Sequence, residues 1–385
     1  MLGDNEYMKV LYIGHYKEFG GWAQAATDNI LALDKVGVDV ACRNVTLTQD
    51  KQNIDPRLLE IEKKTTEDCD ICIQHVLPHH LVGSDSFKKN IAFMETETLS
   101  IKHLPWVEHL KQVDQVWVAN IDSRQTLVDG GIKSVKVVPH TCKMEKYKKQ
   151  YRDISIPDTE NSFKFYYIGD VNDRKNIESI ITCFYSEFDK SEQANLILKV
   201  KKFGHSPEQI SKLVDAIASK VKTSLRMHDN ITEYKKLVII SDEVSDEDIF
   251  AIHKHMDCFI CPSHGEAWSI PSFDAMCFGN TPICSDFGGP KEFIDKSSWR
   301  TGHLARGVFS VCKCSDAAFP DIFTGREYWF QPCERNIREQ MRKYFESWKN
   351  NPIMYKSRNQ AAGLKRAENY SYENIGKCMK EIINE

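Results

Sequence analysis

The stretch that decides the fold is SHGEAWSIPSFDAMCFGNTPICSDFGGPKEFI, from Ser263 to Ile294. It follows a short apolar run typical of a buried strand, so Glu266 is predicted to lie in the loop after that strand. Pro271 suits the first turn of the next helix, which puts Asp274 just inside that helix. Open α/β sheets bind ligands at the carboxyl ends of their strands. The sequence therefore predicts two carboxylates at a ligand-binding edge.

A pair of glycines, Gly288 and Gly289, precedes another short helix in the same stretch. The first N–H groups of a helix have no intrahelical partner and carry partial positive charge. A second helix N-terminus at this edge would therefore suit an anion such as a diphosphate.

Strand-like and helix-like segments alternate on both sides of this stretch, which predicts parallel sheets covered by helices. In the first half the predicted strands are Lys9–Ile13, Val38–Cys42, Asp70–Gln74, Asn90–Met94, Val116–Ala119 and Val135–Val138. In the second half they are Phe163–Ile168, Asn195–Val200, Leu237–Ile240, Asp257–Cys261 and Thr281–Ser285. The polar segment between the two sets is typical of a linker. Two doubly wound domains in tandem explain this pattern.

The last part of the chain departs from this alternation. From Arg300 to Phe323 the pattern is irregular, and we predict no regular element there. Helical periodicity then returns in three stretches, which are Glu334–Trp348, Met354–Glu368 and Tyr372–Asn384.

The composition is that of an ordinary globular protein. The 385 residues predict two to three domains, and 41% are hydrophobic and 28% charged. A net charge of −4 gives no electrostatic reason to expect a nucleic-acid partner. No apolar run approaches the roughly 18 residues of a membrane span, and Asp4 and Glu6 do not suit a signal peptide. We therefore predict a cytoplasmic protein.

Thirteen cysteines are scattered through apolar segments, which favours reduced core residues over a disulfide framework. Two Cys-x-x-Cys spacings, Cys69 with Cys72 and Cys258 with Cys261, fall in predicted strands. Residues three apart in a strand point to opposite faces, so neither pair can close on one metal. The Asp-x-Asp sequence of Asp68–Asp70 also begins a strand, and we interpret it as structural.

The quoted stretch resembles the donor site of the GT-B retaining glycosyltransferases of group one, or family four, which include glycogen synthase and bacterial mannosyltransferases. Their motif, EGFGLPxLEAMAxGTPVI followed by GGxxE, spaces two glutamates as Glu266 and Asp274 are spaced here. Asp274 and the sequence AWS (267–269) depart from the motif. The segments 9–40, 116–140 and 165–184 resemble other parts of the same family.

This resemblance implies an α/β protein of GT-B architecture, in which two doubly wound Rossmann-like domains face each other across a cleft. Residues 1–142 would form the acceptor-side domain and 143–162 the linker. Residues 163–370 would form the nucleotide-sugar-binding domain, and the helix of 371–385 would cross back to the first domain.

The resemblance also implies a function. The protein would move a hexose from a UDP- or GDP-sugar, with retention, to a hydroxyl of a glycan, lipid or other acceptor. It would need no metal and no cofactor besides the nucleotide-sugar co-substrate, and a lipid-linked acceptor would bring peripheral membrane contact.

The family's site residues map onto this sequence as follows. Glu266 is the predicted catalytic residue beside the donor sugar, and Asp274 would bind the ribose. Lys175 would bind the diphosphate, together with Arg174 because Asp170 occupies the family's arginine position. Further predicted donor contacts are Gly20, Gly21, Trp268, Ser269, Ile270 and Glu292. Glu95 stands where the family often has a histidine, and we predict that it contacts the sugar or the acceptor.

Two other classes of function remain open at this point. A nucleotide-dependent oxidoreductase would need G-x-G-x-x-G after its first strand, and Gly14–Gly21 does not supply it. A non-catalytic GT-B protein that only binds sugar nucleotides or glycans is compatible with the departures at Asp170 and Asp274, and product formation separates it from an enzyme. His79, His80 and His140 could line a polar pocket, although single histidines are more often core or surface residues.

Overall fold

The structure is a computed structural model that describes residues 8–47, 54–312 and 322–385. The described residues form two compact units. The first comprises those within 1–144, 321–327 and 367–385, and the second those within 145–320 and 328–366.

Strands and helices are numbered along the chain. The strands are β1 (Val10–Gly14), β2 (Val40–Asn44), β3 (Ile71–His75), β4 (Lys89–Met94), β5 (Gln115–Val118), β6 (Val135–Val137), β7 (Phe163–Asp170), β8 (Ala194–Lys201), β9 (Val238–Ile240), β10 (Cys258–Cys261), β11 (Ile283–Ser285), β12 (His303–Ala305), β13 (Gly307–Val311) and β14 (Tyr328–Pro332). The helices are α1 (Gly21–Lys35), α2 (Pro56–Glu62), α3 (Val107–Leu110), α4 (Ile121–Asp129), α5 (Ile177–Glu187), α6 (Pro207–Leu225), α7 (Asp246–His255), α8 (Ile270–Cys277), α9 (Pro290–Phe293), α10 (Glu334–Asn350), α11 (Pro352–Ala367) and α12 (Tyr372–Asn384).

The first unit is built on a six-stranded parallel sheet with the order β2-β1-β3-β4-β5-β6. From β1 the chain passes to β2 on one side and then to β3 on the other, so the direction of winding reverses between β1 and β3. Gly14 and His75, the last residues of these two strands, lie side by side. Open α/β sheets bind ligands at such a reversal, outside the carboxyl ends of the strands.

The C-terminal helix α12 packs on α1 within the first unit. The Tyr372 hydroxyl donates to Asp28, and the Lys380 ammonium donates to the Val36 carbonyl oxygen at 3.1 Å. The helices approach closely at Gly376, where a Cβ atom would lie 2.4 Å from the Ala32 carbonyl oxygen. The glycine is therefore required by the packing of the two helices.

Replacing Gly376 with alanine is expected to lower the free energy of unfolding by about 1–3 kcal/mol, the usual cost of overpacking. The added methyl would meet backbone, which cannot move aside as a flexible side chain does. The matched control is Lys377→Ala, because Lys377 is exposed on the same helix and should cost less than about 0.5 kcal/mol. Urea denaturation of both variants checks this, and equal midpoints would contradict the packing.

The second unit repeats the architecture with a parallel sheet of order β12-β11-β10-β7-β8-β9. The chain runs from β7 through β8 to β9 and then returns to β10 on the other side of β7. The winding therefore reverses between β7 and β10. An antiparallel pair, β13 with β14, is added to this unit.

The core of the second unit contains a buried polar group, His253 on α7, which has no exposed surface. Its Nδ1 atom lies 2.6 Å from the Tyr166 hydroxyl, and the Asn280 side chain donates to the His253 carbonyl oxygen. Burial lowers the pKa of His253 from 6.5 to about 4. The folded protein therefore holds this imidazole neutral where the unfolded chain would protonate it.

Acidification is expected to destabilise the protein through His253. Between pH 6.5 and 4 the unfolded state binds a proton that the folded state does not. Stability is therefore lost as the pH falls through that window, and the loss from this group is about 2 kcal/mol between pH 7 and pH 5. Unfolding measured at both pH values should show a smaller loss for His253→Gln than for the exposed control His205→Gln. Equal losses would contradict the assignment.

Three regular strands, β12, β13 and β14, lie where the sequence predicted none. The prediction that 300–323 is irregular is wrong for β12 and β13. β12 has only three residues, too few for a clear pattern, and β13 pairs with β14 as a separate antiparallel sheet outside the alternation of strands and helices. The partner of β13 is β14, the next strand along the chain. Residues 313–321 lie outside the described residues.

The two Cys-x-x-Cys pairs differ: Cys69 precedes β3 and packs in the same cluster as Cys72, so the prediction that they lie on opposite faces is wrong, whereas Cys258 and Cys261 have different neighbours. The Cys258 thiol donates to the Thr281 carbonyl oxygen, whereas the Cys261 sulfur lies 3.4 Å from the Ser263 hydroxyl and 3.6 Å from that of Ser269. The two sulfurs have different neighbours and cannot share a metal. Among the helices the structure describes, none is long and apolar enough to cross a membrane.

Candidate functional site

Two loops meet at the winding reversal of the second sheet, one after β7 and one after β10. The His264 amide donates to the Arg174 carbonyl oxygen at 2.8 Å, and the Asn176 side chain donates to the Pro262 carbonyl oxygen at 3.0 Å. Asn176 adopts the left-handed conformation, with φ 55°, and begins α5. These contacts hold the residues around Arg174 and Lys175 beside those around Glu266.

The Glu266 carboxylate is the centre of this site and is only 7% exposed. Its Oε1 atom lies 2.6 Å from Lys175 Nζ and 3.5 Å from Arg174 Nη1. Burial alone would raise the pKa of Glu266, but the two cations lower it below its usual range. The structure thus brings together three predicted site residues as a buried, ionised carboxylate with two positive charges.

The Arg174 guanidinium lies beside the same Glu266 carboxylate oxygen as the Lys175 ammonium. Its Nη1 atom donates to the Gly265 carbonyl oxygen at 2.6 Å, which fixes the side chain against the Glu266 loop. Asp170, in the family's arginine position, ends β7 and is half-buried. The local geometry therefore fits the predicted replacement of that arginine by Arg174.

The glycine pair supports the Glu266 loop through close backbone contact. The Gly289 amide donates to the Glu266 carbonyl oxygen at 2.9 Å. A Cβ atom on Gly288 would lie 2.2 Å from that same oxygen, and one on Gly289 would lie 2.2 Å from the Trp268 Cα. Glycine is therefore needed at both positions to place the Glu266 loop. The helix that follows, α9, is short, as the sequence predicted, with four residues.

Asp274 lies on α8 and is 4% exposed. The Tyr147 hydroxyl donates to its Oδ1 atom at 2.6 Å, and Lys146 Nζ lies 2.9 Å from the same atom. Neither contact follows from the family resemblance. Both partners come from the polar segment predicted as a linker. The only sequence feature that could have pointed to them is an aromatic residue among lysines.

The other predicted donor contacts of this unit differ in accessibility. The Trp268 ring is buried against Phe273 and Phe293, so its backbone rather than its ring is available to a ligand. Ser269 is buried in the left-handed conformation, with φ 69°, and its hydroxyl lies 2.7 Å from that of Ser272. Ile270 and Glu292 are half-buried.

In the first unit, Gly20 and Gly21 are exposed at the start of α1. Gly20 has φ 115°, a conformation that favours glycine. This places open backbone at the N-terminus of a helix of 15 residues, as the phosphate-binding prediction requires.

Glu95 follows β4 and contacts two histidines that the sequence did not connect with it. Its Oε1 atom lies 2.6 Å from His140 Nε2 and 3.6 Å from His75 Nε2. Burial opposes ionisation of Glu95, but His140 and His75 hold the pKa of this carboxyl well below its usual range. His140 is buried, whereas His79 and His80 are exposed.

The Asp-x-Asp sequence is engaged in structural contacts. Asp70 Oδ2 accepts from the Lys9 amide at 3.2 Å, and Oδ1 lies 2.8 Å from Lys88 Nζ. These contacts support the structural interpretation. Within the described residues, no group of three or more His, Cys, Asp or Glu side chains has the geometry to hold a metal ion.

Comparison with known proteins shows a similarity over part of the sequence and over the whole fold. Residues 150–310 match the sequence profile of the family Glycosyl transferases group 1. No curated protein matches the chain in sequence. Among solved structures, HepE from Anabaena, in complex with UDP and glucose, aligns with a TM-score of 0.59 and 12% identity over 98% of this chain and 99% of that chain.

Two other solved structures show the same architecture. Sucrose-phosphate synthase from Thermosynechococcus elongatus aligns with a TM-score of 0.61 and 12% identity, covering 98% of both chains. A trehalose-6-phosphate protein from E. coli, bound with UDP-2-fluoro glucose, aligns with a TM-score of 0.65 and 9% identity over 98% of this chain and 99% of that chain.

The fold is therefore that of the GT-B glycosyltransferases, as predicted. Residues 150–310 are similar to the group 1 glycosyltransferases, which confirms the resemblance seen in the sequence.

Proposed function

We propose that this protein is a retaining glycosyltransferase that moves a hexose from a UDP- or GDP-sugar to a hydroxyl acceptor on a glycan or lipid. The observation that carries the proposal is the Glu266 carboxylate, buried beside Lys175 and Arg174 at the winding reversal of the second sheet. The group 1 match covers these residues.

In this proposal the two cations bind the diphosphate and stabilise the charge that develops on it as the sugar leaves. Charge-assisted hydrogen bonds to phosphate are strong, and two cations from one loop can contact it together. Lys175 forms an ion pair with Glu266 in this structure. When the donor binds, Lys175 would exchange this contact for contacts with the phosphates.

Glu266 is then the catalytic residue at the donor sugar. An ionised carboxylate can accept sugar hydroxyls and stabilise the oxocarbenium character of the transition state. The lowered pKa of Glu266 keeps it in this form at neutral pH. Asp274 is the proposed ribose contact, through its buried carboxylate, which Tyr147 and Lys146 hold at the Oδ1 atom.

A UDP-sugar is the donor that the comparisons support best. HepE was solved with UDP and glucose, and the E. coli trehalose-6-phosphate protein with UDP-2-fluoro glucose. We further propose that no divalent metal is needed, because Lys175 and Arg174 supply the positive charge. Contact with a membrane would follow only from a lipid-linked acceptor. The described cysteines form no disulfide, which supports a reducing compartment such as the cytoplasm.

Replacing Lys175 with alanine is expected to weaken binding of the free nucleoside diphosphate by about 1.5–3 kcal/mol, the range for hydrogen bonds to charged groups. Isothermal titration with UDP and GDP measures this. The matched control is Lys220→Ala, since Lys220 pairs with Glu178 on the exposed surface of the same unit. Unchanged affinity in Lys175→Ala would place the phosphate site elsewhere.

A further inference from the structure

The antiparallel pair β13–β14 lies against the segment that carries Glu266. This segment, the Glu266 loop, comprises residues 262–269 between β10 and α8. The second unit has its six-stranded parallel sheet without the pair, and β14 lies beyond residues 150–310, which resemble the group 1 family. The pair is therefore an addition to the sheet, and its contacts with the loop need an explanation of their own.

Two hydrogen bonds join β14 to His264 in this loop. The Phe330 amide donates to the His264 carbonyl oxygen at 3.0 Å, and His264 Nδ1 lies 2.8 Å from the Phe330 carbonyl oxygen. A carbonyl oxygen can only accept, so Nδ1 carries the proton and donates it to this bond. The backbone and the imidazole of His264 are thus both held, two residues before Glu266.

The Trp329 indole stacks on the imidazole that β14 holds. The two ring centroids lie 5.3 Å apart, and the ring planes are inclined by only 12°. His264 is half-buried, whereas Trp329 is only 2% exposed. The large indole therefore fills the space beside His264, and a smaller side chain would leave a cavity into which the imidazole can move.

The other face of the pair contacts the glycine segment of the site. Adjacent side chains in a strand point to opposite faces, so Phe330 is turned away from Trp329. The Phe330 ring is stacked with that of Phe287, with centroids 6.2 Å apart, and the Phe309 ring lies 5.1 Å from that of Phe287. Phe287 directly precedes Gly288. The pair thus contacts both segments that fix the Glu266 backbone.

These contacts lead directly to the groups of the candidate site. The His264 amide donates to the Arg174 carbonyl oxygen at 2.8 Å, and the Gly289 amide donates to the Glu266 carbonyl oxygen at 2.9 Å. A shift of His264 or of Gly289 would therefore move the Glu266 carboxylate. Displacement of a catalytic group by about 1 Å can lower activity by about 100-fold.

We propose that the β13–β14 pair positions the Glu266 loop for catalysis, with Trp329 and His264 as positioning residues. Both act through the backbone of the loop, by restricting the positions that the Glu266 carboxylate can adopt. The expected effect on turnover rests on the proposed function, whereas the expected effect on the mobility of the loop does not.

Steady-state kinetics and UDP titration on the full chain test this proposal. Trp329→Ala and His264→Ala should each lower kcat at least tenfold. UDP affinity should change less than threefold, because the Asn172 side chain accepts from the Lys175 amide at 3.0 Å and holds Lys175 within its own loop. Trp329→Phe keeps an aromatic ring against the imidazole and should restore kcat to within threefold of the wild type.

The matched control is Tyr328→Ala, which changes an aromatic residue of the same strand that is 44% exposed. This control should keep the wild-type kcat. If Trp329→Ala does not fold, His264→Ala decides, because His264 is only half-buried. Unchanged kcat in either folded alanine variant would overturn the proposal. A fall in UDP affinity as large as the fall in kcat would also overturn it, and so would failure of Trp329→Phe to recover activity.

Hydrogen exchange measured by mass spectrometry separates this proposal from the proposed function. The amides of residues 262–268 should exchange at least tenfold faster in Trp329→Ala and His264→Ala than in the wild type, and at the wild-type rate in Tyr328→Ala. Equal exchange in all four proteins would overturn the positioning role even in an active enzyme. If the wild type turned over no donor, the proposed function would fail, while faster exchange in the two variants would still support positioning of the loop.

Discussion

Replacing Glu266 with glutamine is expected to lower kcat by about 100-fold or more, because the carboxylate acts where positive charge develops on the sugar. Glutamine keeps the size and the hydrogen-bonding oxygen but removes the charge. Affinity for the free nucleoside diphosphate should stay the same or increase, since Lys175 is no longer paired with a carboxylate at 2.6 Å. Steady-state kinetics with the accepted donor and titration with its nucleotide measure both quantities.

The matched comparison is Asp274→Asn, the other carboxylate of the motif. Ribose is held equally in the ground and transition states, so this change should mainly raise KM for the donor and leave kcat nearly unchanged. Asparagine still accepts from Tyr147 through its side-chain oxygen, which preserves that contact. The assignment fails if Glu266→Gln leaves kcat intact or if both variants show the same kinetic change.

Replacing Gly288 with alanine is expected to reduce kcat/KM by about 100-fold or more while the protein still folds. Gly288 has φ 79°, and a Cβ atom would lie 2.2 Å from the Glu266 carbonyl oxygen. The backbone of the Glu266 loop must move to make room, and small displacements of catalytic groups can cost this much activity.

The matched control is Gly37→Ala in the first unit. Gly37 has a similar φ of 75°, but nothing lies within 4 Å of the added methyl. It should lose about 1–2 kcal/mol of stability from left-handed strain and keep its activity. Thermal melts of both variants report the backbone strain, and kcat/KM reports displacement of the Glu266 loop. Full activity of Gly288→Ala would contradict the role given to this glycine.

The sequence predicted the sheets well because buried parallel strands form apolar runs. Its predicted strand of Lys9–Ile13, for example, is β1 at Val10–Gly14. β12, β13 and β14 were missed, because β12 has only three residues and the other two form a separate antiparallel pair outside the alternation of strands and helices.

For the candidate site, too, the sequence predicted some features and missed others. Resemblance to the family motif pointed to Glu266 and Lys175, and the structure places these two side chains 2.6 Å apart. The contact of Tyr147 with Asp274 joins residues 127 apart, and that of His140 with Glu95 joins residues 45 apart. Contacts between residues far apart in sequence depend on the tertiary fold. The sequence therefore predicted Asp274 and Glu95 as site residues but not the side chains that contact them.

The most direct test of the account is donor turnover in EDTA. The wild type and Glu266→Gln are incubated with UDP-glucose, UDP-N-acetylglucosamine and GDP-mannose, and release of UDP or GDP and the anomeric configuration of the product are measured. The account predicts that the wild type turns over at least one donor without metal and with retention, and that Glu266→Gln loses this activity. Nucleotide binding without any turnover would instead identify a non-catalytic sugar-nucleotide-binding protein and contradict the account.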